Sequence, residues 1–396
     1  MTRVSAALII AVIGSTARAE NVLDFFTGPI VGSGAVVAMG GAFIGLGEGA
    51  DGHLFQPASL TTRVWQSRRS PWDWDLASGS LSQVNKGAAT IDQSGIIGRR
   101  FSQGGFNLKY LAHGYGVHLV QSDFVLKNRG EKEAKEALIR QRLAALGMGQ
   151  TRLAGGLHWG VVATLTTLSL SKHQPWTEAQ NNNEIESPMF TAGKTLVSID
   201  GAGLIAGALW TPVNQSYRVG AKVRTPTLAN QPSGTVDTTD ISFMPDAVNV
   251  PWQLGLGASY QFGPRPFNER PRADAPSRLT PAERRHLLFA ADLILTGSTT
   301  NGLDTVAYLL NERQLSGEYP SISLRVGAES EVIPNRLIVR GGSYYEPCRR
   351  TQCAGKWHAT GGMDLRFRAH WDLRFGVAVD VAKRYQNAGV SLGIWH

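Results

Sequence analysis

Strict two-residue alternation in the second half of the chain constrains its fold more than any other feature. In "MDLRFRAHW", Met363, Leu365, Phe367, Ala369 and Trp371 share one face, and Asp364, Arg366, Arg368 and His370 share the other. In "DLRFGVAVDV", Leu373, Phe375, Val377, Val379 and Val381 oppose Asp372, Arg374, Gly376 and Asp380. "WQLGLGASYQF" repeats the pattern from Trp252 to Phe262. "SYRVGAKVR" and "SISLRVGA" put Arg218, Lys222, Arg224 and Arg325 on the polar face. Successive side chains of a strand point to opposite sides, so each segment is a strand with one apolar face. A soluble sandwich would turn that face inward. Here the segments approach the roughly 9–11 residues that cross a bilayer when tilted. Their other face mixes glycine with charge, as a water-filled or plugged barrel lumen does.

Candidate strands fall at 74–82, 101–111, 115–126, 151–158, 161–171, 196–209, 217–224, 252–262, 286–296, 320–330, 336–345, 358–369, 372–382 and 388–396. Fourteen is an even number, which returns both termini to the periplasmic side of an outer membrane. Short turns near Gly114, Trp159, Pro212, Pro334 and Trp371 fall on that side. Long connections at 127–150, 172–195, 225–251, 297–319 and 346–357 fall on the other. One long polar loop, 263–285, interrupts the rule. The last strand alternates to Trp395 and His396, near the aromatic closing position of such barrels.

The ends and the composition agree with export. Arg3, the apolar run Ala6 to Ile13 and "ARA" at 17–19 read as a signal peptide over residues 1–19, far short of a spanning helix. Only two cysteines occur, Cys348 and Cys353, and in an oxidising compartment their expected state is a disulfide. No metal or cofactor is expected, because no histidine pair stands at ligand spacing beside them. The formal charge of +8 invites a nucleic-acid reading. Its arginines, however, are scattered at alternate strand positions instead of gathered on a recognition module.

Two stretches stand outside the alternation. Glu131 to Leu146 ("EKEAKEALIRQRLAAL") reads as a helix capped by Gly147, with Ile139, Leu143 and Leu146 as an apolar stripe. That stripe serves either loop packing or an outer landing groove for apolar ligands. Before the first strand, nine glycines between Gly28 and Gly52 are interleaved with apolar residues, which fits tightly bent chain in a confined space such as a plug. Gly47-Glu-Gly49-Ala-Asp-Gly52 has the spacing of a dinucleotide loop, but Pro57 follows and no βαβ unit does, so that reading fails on context.

With these residues in view, the sequence resembles the FadL-type outer-membrane transporters of long-chain fatty acids and other hydrophobic molecules. "GAFIGLGEGADGHLFQPASL" resembles their N-terminal hatch, with Gln56-Pro57-Ala58-Ser59-Leu60 at the Asn-Pro-Ala-x-Leu motif and Gln56 in the Asn position. Met244 to Phe262 and Ile322 to Tyr345 resemble the family's Pro-led strand entry and late hairpin. The resemblance implies an all-β transmembrane barrel of about fourteen strands over residues 63–396, plugged by a hatch over 20–62. It implies passive uptake without a catalytic residue, with Gly45, Gly47, Gly49, Gln56, Pro57 and Ala58 at the hatch or gate. Implied partners are a hydrophobic small molecule, outer-membrane lipid and the barrel assembly machinery, with the barrel a monomer. A fatty acid also needs a cation for its carboxylate. Lumen-facing candidates are Arg218, Lys222, Arg224, Arg325, Arg340, Arg366, Arg368 and Arg374. Asp292, Asp364, Asp372 and Asp380 are their competing partners. A secretion-associated scaffold barrel and an outer-membrane lipid hydrolase remain the rival readings.

Overall fold

The computed structural model describes residues 21–26, 28–62, 72–83, 96–127, 136–152, 156–173, 192–230, 245, 247–269, 286–309, 313–351, 353–368 and 372–395. Fourteen antiparallel strands form the wall. They are β1 (Trp72–Gln83), β2 (Ile96–Tyr110), β3 (His113–Lys127), β4 (Glu136–Arg152), β5 (Leu157–His173), β6 (Ala192–Trp210) and β7 (Tyr217–Arg224), followed by β8 (Gln253–Phe262), β9 (Leu287–Thr296), β10 (Ser321–Ile333), β11 (Leu337–Glu346), β12 (Lys356–Arg368), β13 (Asp372–Ala382) and β14 (Tyr385–Trp395). Each pairs with the next, and β14 pairs with β1 from Asn387↔Gln83 to Trp395↔Asp75, so the barrel is closed. Closure removes the exposed sheet edges that an open sheet would present.

The alternation becomes inside and outside. On β8, Leu254, Leu256, Tyr260 and Phe262 are exposed outward, while Gly255, Gly257 and Ser259 point in and are buried. Aromatics gather at the short-turn end: Trp72, Tyr110, Tyr115, Tyr260 and Phe262 are exposed, and the Trp210 and Tyr217 rings meet at 5.7 Å. An apolar outer belt with an aromatic girdle is what a lipid-facing wall requires.

One element is a correction. Residues 136–152 are not helical; they are strand β4, paired along its length with β3 and β5. Leu143 therefore faces the lumen, while Leu146 is 64% exposed on the outer face, and no single apolar stripe exists. The expected strand at 151–158 spans the end of β4 and the start of β5, with Gly156 in the turn between them. The strand count is right because these two errors cancel. Ladder pairing with two neighbours outweighs the few tenths of a kcal/mol per residue by which Ala, Leu and Arg favour helix.

At the long-loop end four short strands extend the same continuous sheet. Val22–Asp24 lies parallel between Ala247–Val250 and Gly302–Asp304, and Thr227–Asn230 extends the sheet antiparallel. Asp24, its side chain fully buried, is held by Arg349 through two hydrogen bonds (2.9 and 3.1 Å), by Ser316 Oγ at 2.8 Å and by Thr299 Oγ1 at 2.7 Å. Arg349 sits inside the loop closed by the Cys348–Cys353 disulfide. Removing one partner of such a buried pair costs about 3–5 kcal/mol. Arg349→Gln is therefore expected to speed amide exchange at Val22–Phe25 by about 100-fold or more, measured by hydrogen–deuterium exchange in detergent.

Candidate functional site

From Gly28 to Thr62 the chain runs down through the lumen, and most of its side chains are buried against the inner wall. Its core face joins Ile30, Val36, Val37, Met39, Phe43 and Leu46 to inward residues such as Tyr344 and Ala378. Polar anchors then fix its backbone. The Asp292 carboxylate of β9 accepts hydrogen bonds from the N–H groups of Phe43 (2.7 Å), Ile44 (2.8 Å) and Gly45 (3.3 Å). Ser259 Oγ donates to the Gly45 carbonyl at 2.8 Å, and Thr360 Oγ1 to the Ala38 carbonyl at 3.1 Å. Asp75 of β1 accepts from the Ala50 N–H.

The wall is small where the segment touches it. A Cβ on Gly45 would stand 2.5 Å from the Ala258 backbone, and one on Gly257 would stand 2.5 Å from the Gly45 nitrogen. Gly114, Gly160, Gly220, Gly327 and Gly342 likewise meet the segment's backbone directly. The pseudo-dinucleotide spacing is absorbed here. Gly47 and Gly49 have φ of +49° and +59°, and Gly49–Gly52 forms a single helical turn. Gln56 explains its place in the motif. Its Nε2 lies within hydrogen-bonding distance of three carbonyls, Ile44 of the segment and Ala208 and Ala221 of the wall, while its Oε1 accepts from the Ala58 N–H at 3.4 Å. Pro57 opens the 3-10 turn that follows.

Above this packing lies a cavity of about 170 Å³. The N-terminal segment supplies Phe25, Phe26, Ile30, Val31, Leu54 and Phe55; the wall adds Val120, Leu143, Ile205 and Ile294 with Ser122, Gln141, Thr164, Thr166, Gln253 and Thr296. Lys222, Arg224 and Arg325 also line it, and among the described residues no carboxylate does. Lys222 Nζ lies 5.9 Å from the Phe55 ring centre, Arg224 donates to the Pro251 carbonyl at 3.0 Å and Arg325 to the Gly41 carbonyl at 3.3 Å.

The other expected cations go elsewhere. Arg218 holds Glu48 (2.8 Å), the Leu46 carbonyl and Asn268, and packs on the Phe267 ring at 3.5 Å. Asn268 and Phe267 belong to the described start of the long polar loop, which thus reaches the N-terminal segment through Arg218. Arg340 bridges Glu329 (2.6 Å) and Asp364, Arg366 pairs with Asp372, and Arg374 lies 3.3 Å from Asp372. The Arg368 side chain lies outside the described residues, as do His396 and residues 1–20. Ile139 is buried near the Phe101–Phe124 pair. Among the described residues no cluster of three His, Cys, Asp or Glu side chains could hold a metal.

His53, one of four histidines available to the lipid-hydrolase reading together with His118, His158 and His286, carries no local sequence sign of its setting. It is fully buried against His118 (ring centres 5.7 Å), and neither ring nitrogen has a hydrogen-bond partner among the described residues. Burial, with a smaller effect from His118, pushes its imidazole down to about 3. A group that is neutral when seated and titrates near 6.5 when released favours the seated state above that pH, and the preference is lost as pH falls from about 6.5 toward 3. Protection factors over residues 47–60, taken relative to intrinsic exchange at each pH, should therefore fall from pH 7 to pH 4.5, and His53→Leu should flatten that dependence.

No family model matches the sequence, and no curated protein matches it. Solved structures do match. A Pseudomonas aeruginosa FadL homologue is similar over 93% of this chain and 98% of its own, with 13% identity and a TM-score of 0.56. The Ralstonia pickettii toluene transporter TbuX is similar over 92% and 97%, with 15% identity and a TM-score of 0.56. The fold is that of the FadL-type barrels. The CymD monoaromatic hydrocarbon channel shares it too, over 94% and 98% at 14% identity and a TM-score of 0.57. With so little identity, the FadL-type fold is carried here by alternation, wall glycines and the Gln56 turn.

Proposed function

We propose that this barrel is an outer-membrane channel for the uptake of hydrophobic or amphipathic small molecules, fatty acids or compounds of similar character, by passive diffusion. Residues 20–62 act as its hatch and residues 63–396 as its wall. The observation that carries this reading is the partly open cavity between the hatch and the inner wall, with apolar hatch side chains facing three cations. A ligand entering from the long-loop end meets Phe25, Ile30 and Phe55, and each is part of the hatch, so occupancy and hatch position are coupled. Gly45, Gly47, Gly49, Gln56, Pro57 and Ala58 form the hinge-like stretch that must shift to open a route.

The test is uptake. Proteoliposomes bearing the purified barrel should take up small amphiphiles faster than empty vesicles, and a strain lacking the protein should take them up more slowly. Normal uptake in that strain, with loss of a secreted product, would favour a scaffold role instead.

A further inference from the structure

Resting on the channel reading, we infer that the cargo is a compact, oxygen-bearing organic anion, of the hydroxylated aromatic carboxylate class. Three features of the cavity converge on it. The first is charge. Lys222, Arg224 and Arg325 line the cavity without a carboxylate among its described walls. Asp292 is felt by both Lys222 and Arg325, but its oxygens accept the Phe43, Ile44 and Gly45 N–H groups and it does not reach the lining. The guanidiniums of Arg224 and Arg325 leave positive charge facing one space. A neutral hydrocarbon there would remove water from them and return nothing, whereas an anion supplies the missing charge.

The second feature is hydrogen bonding. The Nε atoms of Arg224 and Arg325 are buried and have no partner among the described residues. They are donors without an acceptor, and a carboxylate with its paired oxygens is the acceptor that guanidinium geometry favours. Hydroxyls of Ser122 and Thr166 stand on the same lining, so a ligand bearing only one polar end would leave them facing apolar carbon. Further oxygen atoms on the ring match them.

The third is size. About 170 Å³ is close to the roughly 150 Å³ of an engineered cavity that accommodates benzene. One ring with short substituents fills it, and a long acyl chain would project beyond it. The Phe25 and Phe55 side chains on the hatch face give that ring an aromatic surface to pack on.

The experiment compares three probes, 4-hydroxybenzoate, toluene and palmitate, for binding to the wild-type barrel in nanodiscs by calorimetry and for entry into proteoliposomes. 4-Hydroxybenzoate should bind at least about tenfold more tightly than either other probe. The double variant Lys222→Met/Arg224→Gln should weaken it by about tenfold or more, as expected for lost charged hydrogen bonds, and leave toluene unchanged. Equal or tighter binding of toluene or palmitate to the wild type would overturn the assignment while leaving the channel reading intact, provided they enter. If none of the three enters, the channel reading fails and takes this inference with it. The wild-type comparison stands even if the variant does not fold.

Discussion

Replacing Asp292 with Leu should unseat the hatch and leave an open pore in an otherwise assembled barrel. Three consecutive hatch N–H groups, on Phe43, Ile44 and Gly45, converge on that one carboxylate. A buried donor without an acceptor costs about 1–3 kcal/mol, so the seated hatch loses on the order of 5 kcal/mol before any repacking. Leu also removes the negative charge that Lys222 and Arg325 feel through the cavity floor. The wall should tolerate the change, because Asp292 points inward and the β8–β9 and β9–β10 ladders are made by backbone groups. Planar-bilayer recordings should show a conductance well above wild type, with unchanged heat-modifiable migration on a gel. Wild-type conductance would mean that the remaining anchors hold the hatch without Asp292.

Gly45→Val should produce the same open phenotype by a steric route. The added Cβ would lie 2.5 Å from the Ala258 backbone, which is fixed in the β7–β8–β9 ladder and cannot retreat like a flexible side chain. Overpacking a tight contact typically costs about 1–3 kcal/mol, and more when the neighbour is backbone. Gly257→Val presses on the same contact from the wall side, against the Gly45 nitrogen and the Asp292 carboxylate. Gly361→Ala is the control, since the nearest atom to its Cβ, the Arg340 carbonyl oxygen, is 3.8 Å away. Both bulky variants should raise conductance and release entrapped dye from vesicles, while the control should behave as wild type. A closed Gly45→Val barrel would show that the hatch can seat without this contact.

The wall was readable because lipid imposes one rule on every strand it touches: apolar out, small or polar in. Where β4 rises beyond that belt the rule lapses. Its outward Arg140 and Arg142 follow a polar environment, and its inward Leu143, Ala145 and Gly147 follow the hatch and cavity. The alternation therefore blurs into something that reads as a charged amphipathic helix. The tight packing of residues 28–62 against the wall was readable from their glycines and from "QPASL", because close backbone approach demands small residues wherever the partner lies in the sequence. The cavity was only half readable. Of eight expected lumen cations, Lys222, Arg224 and Arg325 converge on it; Arg218, Arg340, Arg366 and Arg374 are held by acids. Alternation tells which face a cation occupies, but not its height or its neighbours, because those depend on strand register. Asp24 and Arg349, 325 residues apart, leave no local trace at all.

The buried strand at Val22–Asp24 also sets a condition on biogenesis. The segment that starts the described chain is stitched between outer-loop strands that lie more than 200 residues later, and everything from Gly28 to Thr62 is enclosed by a wall whose seam joins β1 to β14. Contacts of such sequence separation form slowly, because loop-closure entropy must be met before they return any stabilisation. If the ring sealed first, the leading segment would have to thread a nearly filled bore, sliding past side chains that lock it at every level. Zipping the β1–β14 seam last avoids the threading: the segment is laid against the open sheet, Asp292 captures its bend, and the ring then shuts around it. The plug is then a template for closure as well as a stopper.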